Sequence, residues 1–209
     1  MDNRYYLFAE FLVLFIGLPL AFYFDLVSIP KIAGLLAVSL FTVLVLWFDK
    51  RHDFSKLFSL PDGNASVQKL LLKSLAVALT ITGLVLLLNP DELFIFPRQQ
   101  PLVWMIVMLL YPLLSALPQE LIYRAFFFER YDKLFPSEQL LGIASAIAFS
   151  ALHIIYDNWW AVGLSLVGGF IFVQTYRKSR SLYWVSVEHA IYGCLVFTIG
   201  MGHFFYEAF

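Results

Sequence analysis

The sequence contains little charge and a single cysteine. Asp, Glu, Lys and Arg make up 14% of its 209 residues, and 14 basic side chains are balanced by 15 acidic ones. Because no strong positive field results, nucleic-acid binding is excluded as a function class. Cys194 stands alone, so an internal disulfide and a Cys-x-x-Cys metal site are excluded as well. Soluble domains, in which about a quarter of the residues are charged, do not have this composition.

Two sequence motifs of known proteases are also missing. The chain has no His-Glu-x-x-His zinc helix and no Gly-x-Gly-Asp motif of intramembrane aspartyl proteases. Gly163-Leu164-Ser165 matches two positions of the rhomboid Gly-x-Ser-Gly nucleophile, with His189 as a conceivable base. Small residues such as Gly163, Gly168 and Gly169 more often mark close helix packing. We therefore favour a packing role for this segment.

Long apolar runs dominate what is present. Hydrophobic residues make up 61% of the chain, and the mean hydropathy is +0.78. Each membrane span takes about 20 residues, so the runs predict an all-α, polytopic membrane bundle of about seven spans, forming one membrane-embedded domain over residues 1–209. The predicted spans are Leu7–Phe24, Ile32–Phe48, Val67–Leu88, Leu102–Leu117, Leu140–Tyr156, Trp159–Tyr176 and Leu182–Phe205.

Basic residues are distributed unequally between the two sets of span ends. One set holds only Lys31 and Arg98. The other set holds Arg4, Lys50, Arg51, Lys56, Lys69, Lys73, Arg130, Lys133, Arg177, Lys178 and Arg180. The side rich in Lys and Arg faces the cytoplasm in membrane proteins. We therefore expect a cytoplasmic N-terminus and a C-terminus on the outer face.

Ionisable residues inside the predicted spans are the candidates for function, because charge within a bilayer is costly. Glu120 and Arg124 are four residues apart and share a helix face, which favours an ion pair. His153 ends one span, and Glu188 and His189 lie within the last span. Glu10, the remaining one, is expected to reach the interface or a neighbouring hydroxyl.

A glutamate and two histidines on separate helices are the ingredients of a metal-assisted hydrolytic site. Imidazoles bind or polarise, while a carboxylate takes a proton from water. His153 and His189 are the candidate ligands for a divalent metal such as zinc. From their distances to the helix ends, we expect Glu120, His153 and His189 to share one polar cavity that opens toward the cytoplasmic half of the membrane.

Three motifs on successive spans carry a family resemblance. Gln119-Glu120 is followed four residues later by Arg124, Phe149 is followed four residues later by His153, and His189 begins the third motif. This order resembles the CAAX protease and bacteriocin-processing family, also called the Abi family, over about residues 102–205. The resemblance implies an intramembrane, glutamate-dependent endopeptidase, often treated as a metalloprotease, that cuts prenylated CAAX proteins or small peptides.

The resemblance also assigns roles to individual residues. It implies catalytic roles for Glu120, His153, His189 and Gln119, and supporting roles for the following residues: Arg124, Tyr123, Phe149 and Glu188. Two positions depart from the family pattern. Gln119 stands where the family has its first glutamate, and an amide cannot act as a general base. Gly193 stands where the family has Asn or Asp after the last histidine. We favour Glu120 as the acting carboxylate, with Gln119 orienting substrate or water.

Three function classes fit these features. The first is a CAAX-type endopeptidase of a bacterial cytoplasmic membrane, whose partners are membrane lipid and a small peptide or protein tail delivered from the cytoplasmic leaflet. The second is a catalytically inactive relative that binds a peptide or lipid, or confers bacteriocin immunity. The third is a small transporter whose buried Glu and His relay protons. Peptide cleavage distinguishes the first class from the other two.

Overall fold

The computed structural model describes residues 3–48, 59 and 64–206. Within these ranges, the chain is helical without strands, and seven helices are long and apolar enough to cross a membrane, which fits an integral membrane protein. The predicted fold class is therefore confirmed. The helices are α1 (Arg4–Tyr23), α2 (Lys31–Phe48), α3 (Asn64–Leu88), the short α4 (Ile95–Gln99), α5 (Pro101–Arg130), α6 (Glu138–Leu152), α7 (Trp159–Ser179) and α8 (Leu182–Ile199).

Helix α5 extends beyond the apolar run that ended at Leu117, and its end at Arg130 lies close to Phe128, the helix end that the estimated depth of Glu120 assumed. The whole helix, Pro101–Arg130, has 30 residues and is about 45 Å long at 1.5 Å per residue. Two π-helical turns, Pro112–Ala116 and Leu121–Phe126, interrupt its regular hydrogen bonding. Proline removes a backbone donor, and such turns often occur at functional sites. The extension keeps Glu120 and Arg124 in one continuous helix.

Side-chain caps fix the starts of the three helices that follow α5. Ser137 accepts a hydrogen bond from the Leu140 amide at the start of α6. Asn158 does the same for Ala161 at the start of α7, and Ser181 begins α8. These side chains satisfy amides that have no partner within their own helix. Each cap therefore sets where a span begins.

The second half of α5 forms the centre of the bundle. Its residues 121–128 are all buried, and α1, α2, α6 and α8 contact α5. Helices α6 and α7 form an antiparallel pair that approaches closely at Gly169, where an added Cβ would lie 3.1 Å from the Ala146 carbonyl oxygen. Helix α3 packs on the far side of α8. The central helix thus carries the candidate site.

One end of the bundle is basic. There the Arg130 guanidinium binds the Glu10 carboxylate at 2.9 and 3.0 Å, and Arg177 pairs with Glu138. Glu10 also accepts a hydrogen bond from the Tyr131 hydroxyl at 3.0 Å, so it reaches a neighbouring hydroxyl, as one of the two expectations had it, and an ion pair neutralises it. We call this end the basic end. Its described cationic residues are Arg4, Lys69, Lys73, Arg130, Lys133, Arg177, Lys178 and Arg180. Lys50, Arg51 and Lys56, predicted on the same side, lie outside the described residues.

The opposite end joins the α1–α2 turn to the turn after α6. The Lys31 amine donates to the Ile155 carbonyl at 2.9 Å, and the Tyr23 hydroxyl donates to Asp157 at 3.4 Å. Asn158 also donates to the Phe204 carbonyl, beyond the end of α8. These contacts show that consecutive spans alternate in direction, as the sequence predicts.

Candidate active site

Glu120 is fully buried and bound on both sides. Its Oε1 lies 2.8 Å from Nδ1 of His189, and its Oε2 lies 3.2 Å from Nε of Arg124. Both the Glu120 and Arg124 side chains have no exposed surface. The predicted pairing of these two residues is confirmed. The carboxylate therefore joins α5 to α8 and neutralises the buried arginine.

Phe149 connects this ion pair to the second histidine. Its ring centroid lies 4.9 Å from that of His153 and 5.5 Å from that of His189. The Arg124 guanidinium carbon lies 4.8 Å from the same ring, close enough for a cation–π contact. The two imidazoles that the sequence placed in one site thus contact a single aromatic ring.

Both histidines are held in one tautomer. His153 Nδ1 lies 2.8 Å from the Phe149 carbonyl oxygen, and His189 Nδ1 contacts the Glu120 carboxylate. Carbonyl and carboxylate oxygens only accept, so Nδ1 of each ring carries the hydrogen. In the neutral rings Nε2 is therefore an acceptor, available to take a proton or bind a ligand.

A cavity of about 520 Å³ lies between α1, α2, α5 and the end of α6. His153 and Gln119 are on its wall, and most of the remaining wall is apolar. Gln119 donates to the Ser115 hydroxyl at 2.8 Å, while its Oε1 is buried and lacks a hydrogen-bond partner within the described ranges. The cavity wall therefore carries one imidazole and one glutamine side chain among largely apolar residues, and the Gln119 Oε1 atom is itself buried.

Two expectations about this cavity are wrong. Glu120 and His189 are not on its wall, because adjacent helix residues point about 100° apart and the wall receives Gln119 instead. The cavity also reaches the end opposite the basic end, whereas the sequence predicted an opening on the side rich in Lys and Arg. His153 lies at the last turn of α6, close to that opposite end.

Glu188 belongs to a separate cluster. Its Oε1 accepts hydrogen bonds from Lys73 and from the Tyr192 hydroxyl, both at 2.9 Å. Lys73 also donates to Thr175 at 3.1 Å. Lys73 thus connects α3 to Thr175 on α7 and to Glu188 on α8. His189, the neighbour of Glu188, contacts Glu120 instead. Tyr123, the other supporting candidate, is buried against Phe149 and also lines the cavity.

Tyr111 is a site residue that the sequence reasoning missed. A Cβ added to Gly193 would overlap the ring and hydroxyl of Tyr111, so this tyrosine fills the space beside the glycine. Its centroid lies 6.1 Å from that of His189. A repeating pattern carried the signal, because Tyr111, Ser115 and Gln119 recur every four residues on one face of α5.

The donor set does not fit a three-ligand metal site. Among the described residues, no group of three His, Cys, Asp or Glu side chains could hold a metal ion. Catalytic zinc usually has three protein ligands, and both Glu120 oxygens already contact cationic or donor groups. Metal binding by His153 and His189 therefore stays a prediction, and no reaction step is derived from it.

Comparison with known proteins agrees with the geometry. Residues 101–195 match a protein family described as Rce1-like, the type II CAAX prenyl endopeptidase Rce1-like family. The matched segment contains all three motifs, from α5 to α8, and it confirms the resemblance to CAAX proteases. No curated protein and no solved structure matches the chain.

Proposed function

We propose that this protein is an intramembrane endopeptidase of the CAAX protease type, the family whose model matches residues 101–195, and that it hydrolyses a peptide or protein tail bound beside His153 and Gln119. One observation carries the proposal. An imidazole with its tautomer fixed by the Phe149 carbonyl lines a largely apolar cavity that Gln119 also lines.

His153 is the general base in this proposal. Its Nε2 accepts a proton from water, and the Gln119 amide on the same wall orients the substrate or this water. The water oxygen attacks the carbonyl carbon of the scissile peptide bond. The proton then passes from His153 to the leaving amine nitrogen. The apolar wall holds the tail and excludes bulk water.

Glu120 is a positioning residue in this proposal and not the base. Its contact with His189 on α8 fixes the rotation of α5, and that rotation turns Gln119 toward the cavity. The interpretation differs from the role that the sequence favoured. Its reason is burial, since the Glu120 carboxylate has no exposed surface and Glu120 is not among the residues on the cavity wall.

A cleavage assay tests the function. Purified protein is incubated with a fluorogenic, prenylated CAAX-type peptide, and product is measured with and without chelator. We expect turnover by the wild type that persists with chelator, and a loss of about 10²–10⁴-fold in His153→Gln, the range for a lost general base. His203→Gln is the matched control, because His203 is 41% exposed and lies outside this cavity. Equal loss in both variants contradicts the assignment of His153.

A second assay separates the two roles open to Glu120. The double variant Glu120→Gln with Arg124→Met removes both buried charges together, and glutamine still accepts the His189 hydrogen bond. If Glu120 only positions α5, this variant keeps most of its turnover. A fall of about 10²–10⁴-fold instead identifies Glu120 as the base.

A non-catalytic binding protein is the second candidate function. It is favoured by Gln119, because the cavity wall holds an amide where the family has a glutamate. In that case the wild type binds the peptide without cleaving it, while Gln119→Glu gains cleavage. Binding measured by fluorescence anisotropy distinguishes this outcome from a protein that does not recognise the peptide.

A further inference from the structure

We propose that the cavity admits its substrate from the extracytoplasmic side of the membrane. Substrates would then be apolar segments of secreted or membrane-anchored peptides, and not tails delivered from the cytoplasm. The identity of the ligand as a substrate rests on the proposed function, whereas the side of access does not. Three features of the described residues carry the inference.

The cavity reaches the surface at the end opposite the basic end. Its wall includes Pro30 and Lys31 in the α1–α2 turn, and Tyr206 beyond α8. Pro30 is exposed, and Tyr206 keeps 47% of its surface accessible. We call these three residues the mouth.

The side toward the basic end is filled by aromatic rings. Tyr123 on the cavity wall packs against Phe15 with centroids 5.4 Å apart. Behind it, Phe15 packs against Phe127 at 4.9 Å, and Phe127 packs against Tyr131 at 5.5 Å. Phe15, Phe127 and Tyr131 are at most 1% exposed. We call Phe15, Tyr123, Phe127 and Tyr131 the aromatic plug.

An ion pair closes the plug at the basic end. Tyr131 donates to the Glu10 carboxylate at 3.0 Å, and Arg130 binds the same carboxylate. A substrate arriving from this end would have to separate Arg130 from Glu10 and displace fully buried rings. At the mouth, by contrast, Pro30 and Tyr206 are exposed at the surface and also line the cavity.

The distribution of Lys and Arg then assigns the two ends to the two sides of the membrane. Cations gather at the basic end, and only Lys31 and Arg98 are found near the opposite one. The basic end is therefore cytoplasmic, and the mouth is extracytoplasmic. Cavity, plug and charge distribution are independent observations that lead to one direction of access.

Cysteine labelling in sealed vesicles tests this direction without any turnover. In a Cys194→Ser background, single cysteines replace Tyr206 at the mouth, Ser115 inside the cavity, and Lys178 at the basic end. Leu35→Cys is a second interior position, in case Ser115→Cys does not fold. Right-side-out and inverted vesicles are treated with a positively charged methanethiosulfonate, which does not cross the bilayer.

We expect positions 206 and 115 to react about tenfold or more faster in right-side-out vesicles, since a charged reagent pays several kcal/mol to cross the hydrocarbon. Position 178 should show the reverse preference. Faster reaction of 206 in inverted vesicles overturns the proposal, and so does an interior position that reacts faster in inverted vesicles or reacts in neither kind. The failure of the proposed function is seen separately, as absence of cleavage by protein whose labelling pattern is as expected.

Discussion

The buried pair of Glu120 and Arg124 allows a quantitative test. Arg124→Met removes the positive charge and leaves a carboxylate that has no exposed surface. Breaking a buried pair by removing one partner costs about 3–5 kcal/mol, because the remaining charge is stranded away from water. We expect the free energy of unfolding, measured by denaturant titration in mixed micelles, to fall by that amount.

Arg177→Met is the matched control for this variant. Arg177 pairs with Glu138 at 3.0 Å, but the two side chains are 37% and 43% exposed. Water screens such a pair, and exposed pairs contribute about 0–1 kcal/mol. The same chemical change at two arginines should therefore differ in cost by about 2 kcal/mol or more, as the contrast between buried and exposed pairs requires.

A double-mutant cycle separates the lost charge from the lost packing of the arginine side chain. Glu120→Gln alone strands Arg124, and Arg124→Met alone strands Glu120. The double variant strands neither, so its loss should be smaller than the sum of the two single losses. Additive losses, or equal stability of Arg124→Met and Arg177→Met, would refute the view that this is a buried, mutually dependent pair.

Two further predictions follow from the contacts around α8. Gly193→Asn should lower the free energy of unfolding by about 1–3 kcal/mol, seen as a lower thermal midpoint in detergent, because the added side chain overlaps Tyr111. Combining it with Tyr111→Ala should recover most of this loss. Lys73→Met should destabilise the fold by about 1–3 kcal/mol, because it removes the charged partner of the buried Glu188. Lys69→Met is the control and should have little effect, since Lys69 is exposed. A neutral Gly193→Asn, or equal effects of the two lysine variants, would contradict these interpretations.

The sequence by itself determined the membrane class, the number of spans and the pairing within α5. Apolar runs of span length leave few alternatives to helices, since a lipid-exposed backbone must satisfy its own hydrogen bonds. Glu120 and Arg124 meet because their spacing of four residues is a local property of a helix. The motifs also indicated the family, because they lie at fixed spacings within single helices.

Only the tertiary structure decided which residues face the cavity and where the cavity opens. Gln119 and Glu120 are neighbours in sequence, and their roles diverge because α5 is fixed by a contact with His189 on another helix. Lys73 and Glu188 are 115 residues apart, and no local pattern links them. The aromatic plug likewise joins α1 to α5. Such contacts depend on how the helices rotate and cross, and helix periodicity alone does not specify rotation.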